Sequence, residues 1–128
     1  MKQSRKPLLI LGTRTLAVEF ADVISEIQEF QLSGFVENMD KARCSEKLEN
    51  MPVYWIDDIK DMADTHLAVC GLATTKRSFF VEQAENLYMR FAKVVHPSAR
   101  ISSKSTIGDG TIVNPGVIVA SHTEIGKH

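Results

Sequence analysis

The sequence predicts an α/β protein in two parts: a small parallel sheet flanked by helices over residues 1–94, and the first, incomplete coils of a parallel β-helix over residues 95–128. Before residue 95, short apolar runs alternate with amphipathic stretches of helical period, as in sheets whose parallel strands are joined by helices. After it, aliphatic residues recur at every sixth position. Neither an α-helix nor a flat strand has that period, whereas hexapeptide repeats wind into a solenoid.

Composition and charge exclude several classes of protein. The 128 residues are 44% hydrophobic, and 15 Lys and Arg balance 16 Asp and Glu. This balance argues against a nucleic-acid partner, which requires clustered positive charge. No apolar run approaches the ~20 residues that cross a bilayer, and two cysteines do not form a disulfide framework. The chain is therefore expected to be cytoplasmic, without membrane insertion.

The first strand and helix follow from one apolar run and one apolar stripe. Leu8–Leu11 is an unbroken apolar run and predicts a strand that is buried on both faces. Residues 16–27 carry apolar side chains three or four positions apart, which predicts a helix with Thr15 as its N-cap. Residues 32–36 predict the second strand.

The rest of the sheet domain repeats this alternation and predicts a Rossmann-like sheet with right-handed crossovers. The remaining elements are predicted as a loop or a frayed turn at 38–50, a strand at 53–55, a helical turn at 56–59, a strand at 66–71, a helix at 75–90 and a strand at 91–95. The side chains expected to face inward from the second helix are Phe79, Phe80, Ala84, Leu87 and Tyr88.

The repeat in the second part predicts the geometry of a three-sided coil. Each six-residue unit forms one side, and its aliphatic residue points toward the axis. The repeated residues are Val95, Ile101, Ile107, Val113, Val119 and Ile125. Residues 95–128 would end inside a second coil, and too few coils leave a solenoid core uncovered. We therefore expect a truncated or cleaved chain whose intact form continues with further hexapeptides.

Two predicted strand ends carry the side chains that suit a phosphate. Both open a helix at the same edge of a parallel sheet, where backbone N–H groups and the helix dipole favour anions, and an arginine fork suits phosphate oxygens. The residues concerned are Gly12, Thr13, Arg14 and Thr15 after the first strand, and Gly71, Leu72, Thr74 and Arg77 after the fourth. A single glycine in the first loop also fits an ordinary strand–helix turn.

Glu37 and Asn38 follow the second strand at the same edge. They have groups that accept hydrogen bonds from ribose hydroxyls or a base edge, and they equally begin a polar loop. The two cysteines show no metal-ligand spacing, so no metal site is predicted.

Four segments resemble the NeuD/PglD-like sugar acyltransferases. They are LLILGTRTLAVEFADVI, LSGFVENMD, HLAVCGLATTKR and AKVVHPSARISSKSTIGDGTIVNPGVIVASHTEIG. The resemblance implies that the hexapeptides form a left-handed β-helix and that the first domain holds a nucleotide-linked sugar, usually a UDP-amino sugar. It also implies a homotrimer that binds acetyl-CoA between neighbouring subunits.

The chain departs from the family in its first loop, in the loop after the fourth strand, which is one residue longer from Gly71 to Arg77, and in the catalytic histidine. The family's first loop is usually glycine-rich with a histidine, whereas residues 12–16 contain one glycine and no histidine. The family's catalytic histidine lies beyond residue 128, so no catalytic residue is assigned in this chain. The expected function is the sugar-binding portion of an acetyl-CoA-dependent acyltransferase that acetylates an amino or hydroxyl group of a nucleotide-activated sugar, with this chain inactive by itself.

Two alternatives remain from the sequence. One is an NAD(P)-binding Rossmann module of an oxidoreductase, against which the single-glycine loop and the hexapeptides argue. The other is a non-catalytic binding or regulatory domain in which the sheet is only a scaffold.

Overall fold

The computed structural model of this protein describes residues 4–128, and five parallel strands form its first part. The strands are β1 (Lys6–Leu11), β2 (Phe30–Glu37), β3 (Val53–Trp55), β4 (Leu67–Cys70) and β5 (Arg90–Phe91). The helices are α1 (Thr15–Ser25) and α2 (Arg77–Asn86), and the 3₁₀ segments are Lys41–Ser45 and Ile56–Met62. The strand order is β3-β2-β1-β4-β5, with every neighbouring pair parallel.

The central strand β1 is buried on both faces, as its unbroken apolar run predicts. Leu9 and Leu11 lie in one core cluster with Phe80 of α2. Leu8 and Ile10 point the other way, into a cluster with residues of α1. Because side chains alternate across a strand, the two helices cover opposite faces of the sheet.

The first helix begins one residue earlier than predicted. Thr15 is its first helical residue, and the N-cap is Arg14, whose side chain makes no capping hydrogen bond. The prediction of Thr15 as the N-cap was therefore wrong. The polar stretch 38–50, predicted as a loop or a frayed turn, contains a 3₁₀ segment whose N-cap is Asp40; the Asp40 carboxylate accepts a hydrogen bond from the Ala42 N–H at 3.2 Å.

The second helix is shorter than predicted, and two of its expected core residues face solvent. Phe80 is 1% exposed, whereas Phe79 is 61% exposed, because adjacent positions on a helix lie about 100° apart and only one faces the sheet. Tyr88 is 85% exposed. It lies beyond the helix end at Asn86, and its left-handed φ of 66° turns the chain away from the helical stripe.

The predicted strand at 91–95 is two strands that belong to different parts of the fold. β5 completes the sheet, and β6 (Val94–Val95) begins the coil. The other coil strands are β7 (Arg100–Ile101), β8 (Thr106–Ile107), β9 (Ile112–Val113), β10 (Ile118–Val119) and β11 (Glu124–Ile125).

The coil has three sides of six residues. Its strands pair in parallel as β6 with β9, β7 with β10, and β8 with β11. Each pair joins residues one turn of eighteen apart, as Val95 with Val113 does. Val113 and Val119 are buried, while Ile118, on the opposite side of its strand, is 73% exposed. Val113 and Val119 therefore turn toward the axis, as the spacing predicts, and the other four repeated aliphatic residues are partly buried.

His96 connects the end of α1 to both turns of the coil. The Ser98 N–H donates to His96 Nδ1 at 3.0 Å, so the proton of a neutral ring is on Nε2, which lies 3.2 Å from a carboxylate oxygen of Glu26. The Ser98 hydroxyl accepts a hydrogen bond from the Gly116 N–H at 3.0 Å in the second turn. His96 is buried, so this junction is a packed contact.

Among residues 4–128, no helix combines the length and apolarity needed to cross a bilayer.

Candidate functional site

The loops after β1 and β4 meet at the carboxyl edge of the sheet. From β1 the chain reaches β2 on one side through α1, and β4 borders β1 on its other side. The helices that follow β1 and β4 cover opposite faces of the sheet. Their first turns therefore diverge from each other at this edge. In open α/β sheets ligands bind in the crevice at such a switch point.

Two glycines allow these loops to touch. The Gly71 N–H donates to the Leu11 carbonyl at 2.8 Å. A Cβ at Gly12 would lie 3.1 Å from the Gly71 carbonyl oxygen, and Gly12 has a φ of +113° that side chains rarely adopt. A Cβ at Gly71 would lie 2.9 Å from the Cα of Ala17 in α1. The structure therefore brings together the two glycines that the sequence places at separate strand ends.

The first turn of α1 is open to an anion. This turn contains no acidic residue, and the side chain of the N-cap makes no capping hydrogen bond. The first backbone N–H groups of a helix have no partner within the helix. Here no side chain of the cap competes with a ligand for them. Arg14 and Thr15 are exposed beside it. The positive end of the helix dipole and an arginine side chain thus face the same solvent region.

Behind this loop, Thr13 and Glu37 form a buried hydrogen-bonded pair. The Thr13 hydroxyl donates to Glu37 Oε1 at 2.5 Å, and the N–H groups of Met39 and Asp40 donate to Oε2 at 3.0 Å each. Thr13 is 4% exposed and Glu37 is 5% exposed. Both carboxylate oxygens of Glu37 are thus occupied by this chain.

These contacts determine the ionisation of Glu37. Burial by itself would raise the pKa of the carboxyl, but hydrogen bonds from Thr13, Asp40 and Met39 and the nearby positive charge of Arg43 lower it below its ordinary value. The carboxylate is therefore the form that the fold stabilises.

Arg43 is a residue that the sequence analysis missed. Its Nε donates to the Thr13 hydroxyl oxygen and its Nη2 to the Thr13 carbonyl, both at 3.0 Å, and its Nε lies 3.6 Å from Glu37 Oε1. No spacing signal relates Arg43 to Thr13, because thirty residues separate them. The one sign of order in the sequence there is Asp40, a residue type that often caps a helical segment.

Asn38 connects the loop after β2 to α2. Its Nδ2 donates to Gln83 Oε1 at 2.8 Å. The same two segments meet again where Lys76 Nζ lies 3.8 Å from the Met39 sulfur. Asn38 therefore lies at the same edge of the sheet as the two glycine loops.

In the loop after β4, Arg77 holds the backbone. Its guanidinium donates to the carbonyls of Cys70 at 3.3 Å, Leu72 at 3.0 Å and His128 at 2.5 Å. Leu72 is half-buried, and the exposed Thr74 hydroxyl accepts a hydrogen bond from the Lys76 N–H at 3.3 Å. Arg77 thus binds its own loop to the coil, and its predicted contact with a phosphate stays a prediction.

A cavity of about 400 Å³ lies beside the contact between Arg77 and the second turn of the coil. Its lining residues are Phe20, Arg77, Thr111, Ile112, Ile125, Gly126, Lys127 and His128. The His128 ring packs edge-to-face on Phe91 at 4.4 Å, and burial lowers its pKa. A larger open groove of about 930 Å³ runs along α1, but it contains none of the ten predicted site residues, so we place the candidate site at the loops.

Within residues 4–128, no cluster of three or more His, Cys, Asp or Glu side chains is arranged to hold a metal ion.

No protein-family model matches the chain, and no curated protein matches it in sequence. Solved structures match its fold. The acetyltransferase domain of PglB from Neisseria gonorrhoeae FA1090, in complex with acetyl coenzyme A, has a TM-score of 0.79 at 15% identity and covers 97% of this chain and 60% of that chain. A variant of perosamine N-acetyltransferase from Caulobacter crescentus, in complex with CoA and GDP-perosamine, has a TM-score of 0.79 at 18% identity. That match covers 99% of this chain and 60% of that chain.

The chain has the fold of these sugar N-acetyltransferases. The match extends over both the sheet and the coil, because it covers nearly the whole chain. This chain spans 60% of the length of those two chains. The family resemblance drawn from four sequence segments is therefore confirmed at the level of the fold.

Proposed function

We propose that this chain is the nucleotide-sugar-binding portion of an acetyl-CoA-dependent acyltransferase that acetylates an amino or hydroxyl group of a nucleotide-activated sugar. One observation carries the proposal: the sheet with its two glycine loops and the adjoining coil together match enzymes bound to CoA and, in one case, to GDP-perosamine. The switch-point crevice supports it independently, because its open helix start and exposed Arg14 suit a diphosphate.

The nucleotide sugar is proposed to lie across the loops after β1, β2 and β4. Its diphosphate would face the start of α1, and the base would lie toward the loop that follows β2. The residues proposed to form this site are Gly12, Thr13, Arg14, Thr15, Glu37, Asn38, Gly71, Leu72, Thr74 and Arg77. The family resemblance favours a UDP-amino sugar, and the perosamine enzyme adds a GDP-linked candidate.

The coil is proposed to be the start of a left-handed β-helix that forms a homotrimer and binds acetyl-CoA between subunits. In the reaction, the acceptor nitrogen or oxygen attacks the thioester carbonyl, a histidine takes the acceptor proton, and CoA leaves as its thiol. By the resemblance, no residue of this chain corresponds to that histidine. We therefore propose that the chain binds the sugar nucleotide without transferring the acetyl group.

Glu37 does not supply the direct ribose contact that is typical of an NAD site. Dinucleotide-binding sheets use an acidic residue after the second strand to bind the ribose hydroxyls of NAD. The Glu37 carboxylate lies at that position, but Thr13 and two backbone N–H groups occupy its oxygens. It is therefore not free to bind ribose in that manner.

Titration calorimetry tests the ligand class. We expect heat of binding with UDP- and GDP-linked 4-amino sugars, a weaker signal with UDP or GDP alone, and none with NAD⁺ or NADH. Tighter binding of NAD(H) than of every sugar nucleotide would overturn the proposal. If no ligand binds or shifts the melting temperature, the result would instead favour the alternative in which the sheet is only a scaffold.

Mass spectrometry of the sugar tests the absence of transfer. The chain is incubated with acetyl-CoA and a UDP-4-amino sugar, and the acetylated sugar is measured directly, because the protein's own thiols would react with a thiol reagent. We expect no product above the buffer rate. Enzyme-like turnover by this chain would show that it contains its own catalytic base.

A cytoplasmic location is proposed for the same protein. Cys44 and Cys70 are both free thiols in the structure, as is usual in a reducing compartment. Cys70 is buried and its pKa is raised by that burial, which makes it unreactive.

A further inference from the structure

Three polar side chains form a closed network behind the loop that follows β1. Thr13 and Glu37 are almost fully buried, and Arg43 covers them from the 3₁₀ segment. The Thr13 hydroxyl donates to Glu37 at 2.5 Å and accepts from Arg43 Nε at 3.0 Å. Buried polar groups require such partners, because an unpaired one has a large desolvation cost. The proposed function does not by itself account for Arg43.

We propose that Arg43, Thr13 and Glu37 are positioning residues that orient the peptide between Thr13 and Arg14, so that its N–H faces the diphosphate of the bound nucleotide sugar. The inference rests on the proposed function. It assigns Arg43 to that site and gives Thr13 and Glu37 a role that needs no contact with the ligand.

The orientation follows from the planarity of the peptide. Arg43 Nη2 donates to the Thr13 carbonyl at 3.0 Å. In a trans peptide the carbonyl and the following N–H point in opposite directions, so the Arg14 N–H points away from Arg43. Arg43 belongs to the segment that packs on β2 and β3, whereas the Gly71 loop lies on the other side of β1. The N–H is therefore directed toward the crevice between β1 and β4.

Glu37 keeps Arg43 in this place. Its Oε1 lies 3.6 Å from Arg43 Nε, and its Oε2 accepts the N–H groups of Met39 and Asp40, the residues just before the 3₁₀ segment. The Glu37 carboxylate thus contacts both the loop after β2 and Arg43, and Arg43 in turn binds the loop after β1. Loss of any of the three side chains should release the peptide from its fixed orientation.

Three variants test the network, and a fourth serves as a control. Thr13→Val keeps the shape of the side chain and removes the hydroxyl, whereas Thr13→Ser keeps the hydroxyl. Arg43→Lys keeps the positive charge but loses the planar fork that makes both contacts to Thr13. Val81→Ala, a core change in α2 outside the three-residue network, serves as a control that lowers stability without removing any of its hydrogen bonds.

Affinity for a UDP- or GDP-linked sugar and for the matching nucleoside without phosphates is measured for each variant, together with the melting temperature. We expect Thr13→Val and Arg43→Lys to weaken sugar-nucleotide binding about tenfold, the factor that 1.4 kcal/mol produces, with nucleoside binding unchanged. Thr13→Ser should restore most of the affinity. Val81→Ala should lower the melting temperature and leave the affinity as in the wild type.

The outcomes separate this inference from the proposed function. If the wild type binds no sugar nucleotide, the proposed function fails and the inference fails with it. If the wild type binds and Arg43→Lys and Thr13→Val bind equally well, the positioning role alone is overturned. Equal weakening of nucleotide and nucleoside, or a loss in Val81→Ala that matches its loss of stability, would show that the network is merely structural.

Discussion

Gly108 packs against the backbone of Gly126, its counterpart one turn of eighteen residues later in the coil. A Cβ at Gly108 would lie 2.5 Å from the backbone nitrogen of Lys127 and 2.6 Å from the carbonyl carbon of Gly126. Nothing lies within 4 Å of a Cβ at Gly126. Two glycines at equivalent repeat positions therefore have different steric environments.

Gly108→Ala should destabilise the coil, and Gly126→Ala provides its matched control. Backbone atoms must move to admit a methyl group at Gly108, and overpacking of this kind costs about 1–3 kcal/mol. Gly126→Ala should change the free energy of unfolding by less than about 0.5 kcal/mol, the usual range of a surface substitution. Urea unfolding of the two variants checks the difference, and equal stabilities would contradict the stacking of the two turns.

Loss of the Arg14 side chain should weaken ligand binding, whereas loss of the Arg77 side chain should lower stability. Arg14 is exposed beside the start of α1, so Arg14→Ala should weaken sugar-nucleotide binding about tenfold with little change in melting temperature. Arg77 donates to three carbonyls, so Arg77→Ala should lower the free energy of unfolding by about 1–3 kcal/mol. Calorimetric titration and thermal unfolding measure both quantities.

Lys104→Ala removes one exposed positive charge on the coil and is the control for the loss of charge. If it weakened binding as much as Arg14→Ala, the effect would come from net charge and not from the loop. An Arg77→Ala variant as stable as the wild type would refute the role of Arg77 in joining the loop to the coil.

The Glu37 carboxylate should make stability depend on pH. Hydrogen bonds and the Arg43 charge outweigh burial and lower its pKa in the folded protein. Its contribution is therefore present above the pKa of an unfolded glutamate and is lost as the pH falls through the lowered folded value. The loss should begin below about pH 4–5, where unfolded glutamate takes up protons.

Urea midpoints of the wild type and Glu37→Gln across that pH range measure this contribution. The difference in unfolding free energy between the wild type and Glu37→Gln should be largest near neutral pH and should become smaller as the solution becomes acidic. A gap of constant size at every pH would mean that the carboxylate ionisation does not stabilise the fold.

The coil and several strands of the sheet were predictable because their signals are local. Residues 53–55 form a strand with the predicted bounds, and each coil strand ends at a repeated aliphatic residue. The carboxyl-edge position of Gly12 and Gly71 also followed from the sequence, since every strand that ends before a helix in a parallel sheet ends at the same edge. Predictions of this kind need only the order of residues along the chain.

The inward face of α2 was only partly predictable. Phe79 and Phe80 are adjacent aromatic residues of equal hydrophobicity, and the direction in which the helix approaches the sheet selects Phe80. The role of Arg77 was likewise decided by the fold, because its three carbonyl partners include one in the coil, fifty-one residues away.

Six-residue spacing determined that residues 95–128 coil, since the period of side chains along a backbone is set by its local geometry. The association of Thr13, Glu37 and Arg43 arose only when β1 and β2 paired and brought their following loops together. Hydrogen bonds between residues so far apart in sequence leave no periodic pattern. Once water is excluded, polar groups pair with whichever partner lies close in space, and their order along the chain does not determine that partner.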